Sequence, residues 1–131
     1  MDIKELLSFN AVEKSEEGYW HEFQHKGKAA GFAFLVLGEH STPVRAHLTE
    51  RAKEMTRKQA QAAQKGQELA FSLQMLDNIQ DDSIESALVR VVNWRGIKGE
   101  FDREVVRQFM KQNPYVIADI LAVSRDLGNF T

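Results

Sequence analysis

At 131 residues, 43% apolar and 27% charged, the chain has the size and composition of one soluble globular domain, long enough to bury roughly two thirds of its unfolded surface. It has no cysteine, which excludes a disulfide framework and thiolate chemistry and suits a reducing compartment. The net charge of −2 argues against a dedicated nucleic-acid binder, but residues 43–66 sum to +4 and the remainder to −6.

Residues 1–17 read as an N-terminal helix and loop. Asp2 supplies a capping carboxylate, and Ile3, Leu6 and Leu7 follow at helical spacing, so the helix is expected to run to Leu7 or Phe9. These residues do not form a secretory signal. The longest apolar run, Ala29 to Leu37, falls short of the ~20 residues that cross a bilayer, so a soluble chain without a membrane partner is expected.

Residues 18–38 read as a β-hairpin. Tyr19-Trp20-His21-Glu22-Phe23-Gln24 is short and aromatic, and Phe32-Ala33-Phe34-Leu35-Val36-Leu37 is apolar between Gly31 and Gly38. His25-Lys26-Gly27-Lys28 forms the turn between them. A lone hairpin is marginal in water, so one face is expected to lie against helices or a partner.

Residues 43–131 read as a helical region. Thr42 offers a capping hydroxyl and Pro43 a first helical position, opening a helix to at least Gln64. Leu48, Ala52, Met55, Gln59, Ala62, Gly66, Leu69, Leu73 and Leu76 follow heptad spacing in unbroken register. Either one long helix packs closely at its small residues, or two helices meet near Gly66, where glycine costs about 1 kcal/mol relative to alanine. Asp81 or Asp82 caps the next helix, whose stripe of Ile84, Leu88 and Val91 is expected to end near Asn93. Asp102 opens a helix carrying Val105, Val106, Phe109 and Met110. Asn113-Pro114 opens the last, with Ile117, Ile120 and Leu121 inward and Gly128-Asn129 as its stop. The expected fold is a single domain of mainly α (α+β) class, a multi-helix unit with one small N-terminal β-hairpin.

Catalytic chemistry finds little footing in this pattern. His21 and His25 lie roughly 13 Å apart along a strand, and His40 and His47 are scattered, so no metal ligand set forms. Glu16-Glu17 and Asp81-Asp82 stand where loops and helix starts favour acids. No Gly-x-Ser-x-Gly elbow, GxGxxG or GxxxxGK[ST] is present. The residues therefore point to no catalytic role, no cofactor and no metal. Two aromatics remain as contact candidates. Trp94 either anchors a turn against the core or presents a hot spot, and Phe130, near the C-terminus, must dock within the fold or on a partner.

In order and spacing the chain resembles the tail assembly chaperones of long-tailed bacteriophages and prophages. The resemblance runs from about Gly31 onward: Phe34-Leu35-Val36-Leu37-Gly38, Glu39-His40-Ser41-Thr42-Pro43-Val44-Arg45, Val91-Val92-Asn93-Trp94-Arg95-Gly96-Ile97, Phe101-Asp102, the Pro114 helix and Gly128-Asn129-Phe130. Residues 1–17 and the segment to about Asn78 depart most from that pattern. The resemblance implies a non-enzymatic, self-associating protein of the host bacterial cytoplasm that binds the tape measure protein and helps recruit the major tail tube protein during virion morphogenesis. Many such proteins also have a longer frameshifted form, and an end just after Asn129-Phe130 fits the short one. Candidate partner-binding residues, chosen by spacing, are Leu69, Leu73, Leu76, Trp94 and Phe130. A head–tail connector or tail completion protein is the nearest alternative. A nucleic-acid-binding regulator using the basic 43–66 helix is another, and a small hydrolase has only the scattered histidines and carboxylates behind it.

Overall fold

The structure, a computed structural model, describes residues 1–65 and 82–131. Two short helices come first, α1 (Ile3–Ser8) and α2 (Ala11–Glu17), where the sequence suggested one helix and a loop. Asp2 caps α1 by accepting the Glu5 N–H at 2.8 Å, and Asn10 caps α2 by accepting the Glu13 N–H at 3.0 Å. Asn10 therefore restarts what Phe9 ends. The hairpin follows as β1 (Tyr19–His25) and β2 (Lys28–Val36), so it is not N-terminal. Lys26 and Gly27 both adopt positive φ, the two-residue turn that matches strand twist.

The long helix α3 (Thr42–Lys65) opens at the expected residue with a different cap. The Thr42 backbone N–H donates to the carboxylate of Glu16, reaching across from α2. Residues 82–88 form α4, which brings Ile84, Ala87 and Leu88 into the core. Its stripe stops there instead of continuing to Asn93. Val91–Arg95 is a strand, β3, paired antiparallel with β2 through Val36–Val91, Phe34–Trp94 and Ala33–Arg95. The described residues thus hold three strands in the order β1-β2-β3, and the 43–131 region is not wholly helical. The spacing Ile84-Leu88-Val91 is compatible with a helix. The β-branched pair Val91-Val92 beside Trp94 instead completes a sheet whose free edge at β2 would otherwise hold unpaired amides. Gly96 permits this pairing: it has φ +78°, and a Cβ there would stand 2.1 Å from the Gly31 carbonyl oxygen.

Helix α5 (Arg103–Gln112) is capped by Asp102, and α6 (Tyr115–Arg125) follows Pro114. The last helix ends at Arg125, before the expected Gly128-Asn129 stop, because Asp126 caps a 3₁₀ turn, Leu127–Phe130. The core joins Phe23, Phe34, Val36 and Val91 of the sheet to α4, α5 (Val106, Met110) and α6 (Val116, Ile117, Ile120). Phe23 stacks on Phe32 at 5.1 Å and meets Phe34 edge-on at 4.9 Å, while Phe109 of α5 closes on Phe34 at 6.0 Å. The result is a mainly helical α+β fold with a small antiparallel sheet.

Arg90, between α4 and β3, is fully buried. Its Nε donates to Ser124 Oγ at 2.9 Å, one terminal nitrogen to the Ser86 carbonyl and to Ser86 Oγ (3.1 Å), and the other to Glu39 Oε1 at 3.2 Å. Ser124 Oγ passes the network on to the Leu37 carbonyl at 2.7 Å. Burial pulls the guanidinium pKa down, and the hydrogen bond and charge of Glu39 oppose it.

Glu39→Ala is expected to cost roughly 3 kcal/mol in chemical denaturation, near the lower end for stranding a buried charge, because Glu39 is itself about a third exposed. Arg90→Met removes the charge together with its need for a counter-ion, and should cost less. Equal losses would show that the pair does not carry the packing. Glu16 adds a pH term: the Thr42 hydroxyl and then its amide hold the carboxyl below its ordinary 4.5. A depressed carboxyl contributes stability above the unfolded pKa and loses it as pH falls. The stability gap between wild type and Glu16→Gln should therefore persist above pH 4.5 and close below it.

Candidate protein-binding surface

Every residue of α1 is exposed, although its apolar side chains share a face. Ile3 is 74% exposed, Leu7 73% and Phe9 71%, and Met1, Leu6 and Val12 are also open. Six large apolar side chains within twelve residues are more than scattered surface hydrophobes require, and such clustering marks contact surfaces. Asp2, Glu5, Glu13, Glu16 and Glu17, against Lys4 and Lys14, give residues 1–17 a net charge of −3. The helix behind them is held firmly. Gly38 N–H donates to the Ser15 carbonyl at 3.1 Å, Ser15 is buried, and α2 packs on the C-terminal 3₁₀ turn. The anchored α2 thus displays an α1 that contributes nothing to the core.

The second open element is α3. Val44 is buried, His47, Arg51 and Met55 are half-buried, and the other side chains through Gln61 are exposed. Of the four heptad-seam positions whose side chains are described, three are at the surface: Leu48 is 39% exposed, and Ala52 and Gln59 are open, while Met55 is half-buried. Its continuation through Leu69, Leu73 and Leu76, and the question of one helix or two at Gly66, lie outside the described residues. The basic residues do not line one side. At about 100° per residue, Arg45, Lys53 and Arg57 face away from Arg51 and Lys58. Lys53 sits 3.7 Å from Glu50 and Arg51 3.4 Å from Asp82. A helix that divides its cations and pairs them with acids is a poor phosphate rail.

Among the described residues, two recesses place a histidine beside other ionisable groups. One, of about 160 Å³ at the root of α3, is lined by His47, Arg51, Glu54, Lys58, Asp82 and Glu85. Among the described residues His47 Nε2 is buried there without a hydrogen-bond partner, and burial, then Arg51 and Arg90, lowers its pKa against Glu85 and Asp82. The other, about 350 Å³ between β1 and α6, places His21 with Asp119, and burial lowers the His21 pKa. Its described lining is completed by Glu22, Phe23, Gln24, Ala122 and Val123, with no hydroxyl side chain among the described residues there. Among the described residues, no group of three or more His, Asp or Glu side chains could hold a metal ion.

The two aromatic candidates have different placements. Trp94 is half-buried on β3, meets Phe101 edge-on at 5.3 Å, and donates its indole N–H to the Gly99 carbonyl at 3.2 Å. It anchors the turn and keeps part of its ring at the surface. Phe130 is only 2% exposed and lies edge-on to Tyr19 at 6.5 Å, while Asn129 donates to the Val123 carbonyl at 3.0 Å. Its side chain is committed to the interior, so of the five spacing-derived residues Trp94 alone lies at the described surface. The N-terminal apolar residues were visible in the sequence as a helical stripe. What spacing could not show was that the stripe faces solvent. Compared with known proteins, the chain matches no family model, no curated protein and no solved structure.

Proposed function

We propose that the chain is a tail assembly chaperone of a long-tailed bacteriophage or prophage, which binds the tape measure protein and assists assembly of the tail tube in the host bacterial cytoplasm without catalysing a reaction. The motifs from Gly31 to Phe130 support the family reading. The single observation that carries the binding role is the amount of large apolar side chain left open on α1 and on the Leu48 side of α3. A tape measure protein is expected to be a long helical chain with apolar stripes. Exposed helical faces of matching character give such a chain somewhere to lie before the tube encloses it. Trp94, half-buried beside Phe101 on β3, is a further contact residue in this reading. The major tail tube protein is the second partner in this reading.

The test is co-expression with the tape measure protein encoded in the same gene neighbourhood. The soluble fraction of that protein should rise severalfold over expression alone, and the two should co-purify. Full aggregation at matched expression would remove the chaperone reading. Mass spectrometry of purified particles separates it from a connector or completion protein, since stoichiometric retention in the particle marks a structural subunit.

A further inference from the structure

Strand β1 lies at one edge of the sheet, so among the described residues only its β2 side is paired. From Tyr19 to Glu22 it keeps regular register with Val36 to Ala33, and alternate residues of such an edge turn their N–H and C=O outward. His21 and Phe23 share the inner face of the strand, ring against ring at 4.7 Å. Helix α6 runs beside them and presents Asp119, Ala122 and Val123, spaced i, i+3 and i+4 and therefore on one side of the helix. The recess of about 350 Å³ lies between these two walls. Four consecutive β1 residues, His21 to Gln24, line one wall, and one row of helix side chains lines the other.

The charge in this groove is one-sided. Arg95 takes Glu22 at 2.9 Å, while the ion pairs among the described residues leave Asp119 out. Burial lowers the His21 pKa, so at neutral pH the imidazole carries no charge to offset that carboxylate. Beside Asp119, Ala122 is open and Val123 half-buried, which adds a small apolar step. Asp119 and Val123 are four residues apart, about 6 Å along the helix, and alternate side chains of an extended chain recur every ~6.8 Å. The recess stands at the small end of ligand sites, sized for one or two side chains.

We propose that this groove takes an extended peptide segment of another protein. The segment adds as a strand beside β1, one basic side chain meets Asp119, and an aliphatic side chain two residues on rests on Ala122 and Val123. Backbone hydrogen bonds to the β1 edge supply affinity without regard to sequence, and the α6 row supplies the selection. The proposal does not rest on the chaperone reading, because it uses none of α1, α3 or Trp94. Its test needs no tape measure protein, so either can fail without the other.

The probe is a peptide of about eight residues with blocked ends, threonine throughout except for one lysine and, two positions on, one valine. Titrated into the full chain at low salt, it should shift the backbone amide resonances of His21 to Gln24 and of Asp119 to Val123 saturably. Asp119 is exposed, and the same spectra check that Asp119→Lys stays folded. That variant should bind the lysine peptide at least about tenfold more weakly and prefer a peptide with glutamate in its place. Methylating alternate peptide nitrogens separates strand pairing from side-chain capture. One of the two methylation phases should abolish binding and the other should spare it. Absence of saturable shifts in both elements, equal binding of lysine and glutamate peptides, or full binding of both methylated forms would overturn the proposal. So would shifts of the same β1 amides on concentrating the chain without peptide, which would assign the edge to a second copy.

Discussion

The buried guanidinium of Arg90 is the constraint around which the body is arranged. A charge removed from water is tolerated only if its donors are matched and a counter-charge is near. Here the matching groups come from three separate parts of the chain: Ser86 on α4, Glu39 in the loop after β2, and Ser124 on α6. The backbone repeats the connection, because the Leu37 N–H donates to the Arg90 carbonyl at 2.7 Å. One residue thereby ties the end of the hairpin, the turn into β3 and the last helix. Apolar packing alone would attract these elements without selecting their register. The hydrogen-bond geometry around Arg90 does select it.

Around that knot the molecule divides into two kinds of surface. The sheet and α4 to α6 enclose an aromatic and aliphatic core, further braced by Arg107, which reaches Glu85 at 2.9 Å and 3.2 Å. In contrast, α1 stays outside this core altogether, and α3 adds only Val44 as a buried side chain among its described positions. Helices of this length gain most of their stability from tertiary burial of one face. An apolar face left in water is a standing cost, relieved when another polypeptide covers it. The proposed binding role rests on that energetic asymmetry. The ionisable recesses near His47 and His21 sit apart from the exposed apolar faces of α1.

Much of the local structure was legible because it depends on neighbours in sequence. Asp2 and Asp102 cap helices since a side-chain oxygen two or three residues upstream can reach the orphan amides. The hairpin followed from aromatic runs around Lys26-Gly27, where two positive φ values make the turn. The misread segment, Val91–Arg95, shows the limit. Its spacing continued the α4 stripe, and its alternative as a strand depended on β2, more than fifty residues earlier, offering an edge. Phe130 shows the same dependence: an aromatic near a chain end has two possible docking places, and only the placement of Tyr19 and α2 beside it shows that it docks within the fold. For the candidate surface, residue identity was readable and exposure was not.

The amino-acid sequence by itself determined the starts of α1, α3, α5 and α6, the hairpin turn, the apolar faces and the opposite charges of residues 1–17 and 43–66. Each of these is set by backbone sterics, side-chain reach or composition within a few turns of chain. Only the tertiary structure decided that residues 91–95 pair with β2, that Arg90 is buried with Glu39, and that α1 faces water. Those outcomes depend on which distant groups compete for the same interior space and the same hydrogen bonds, and a one-dimensional pattern carries no record of that competition.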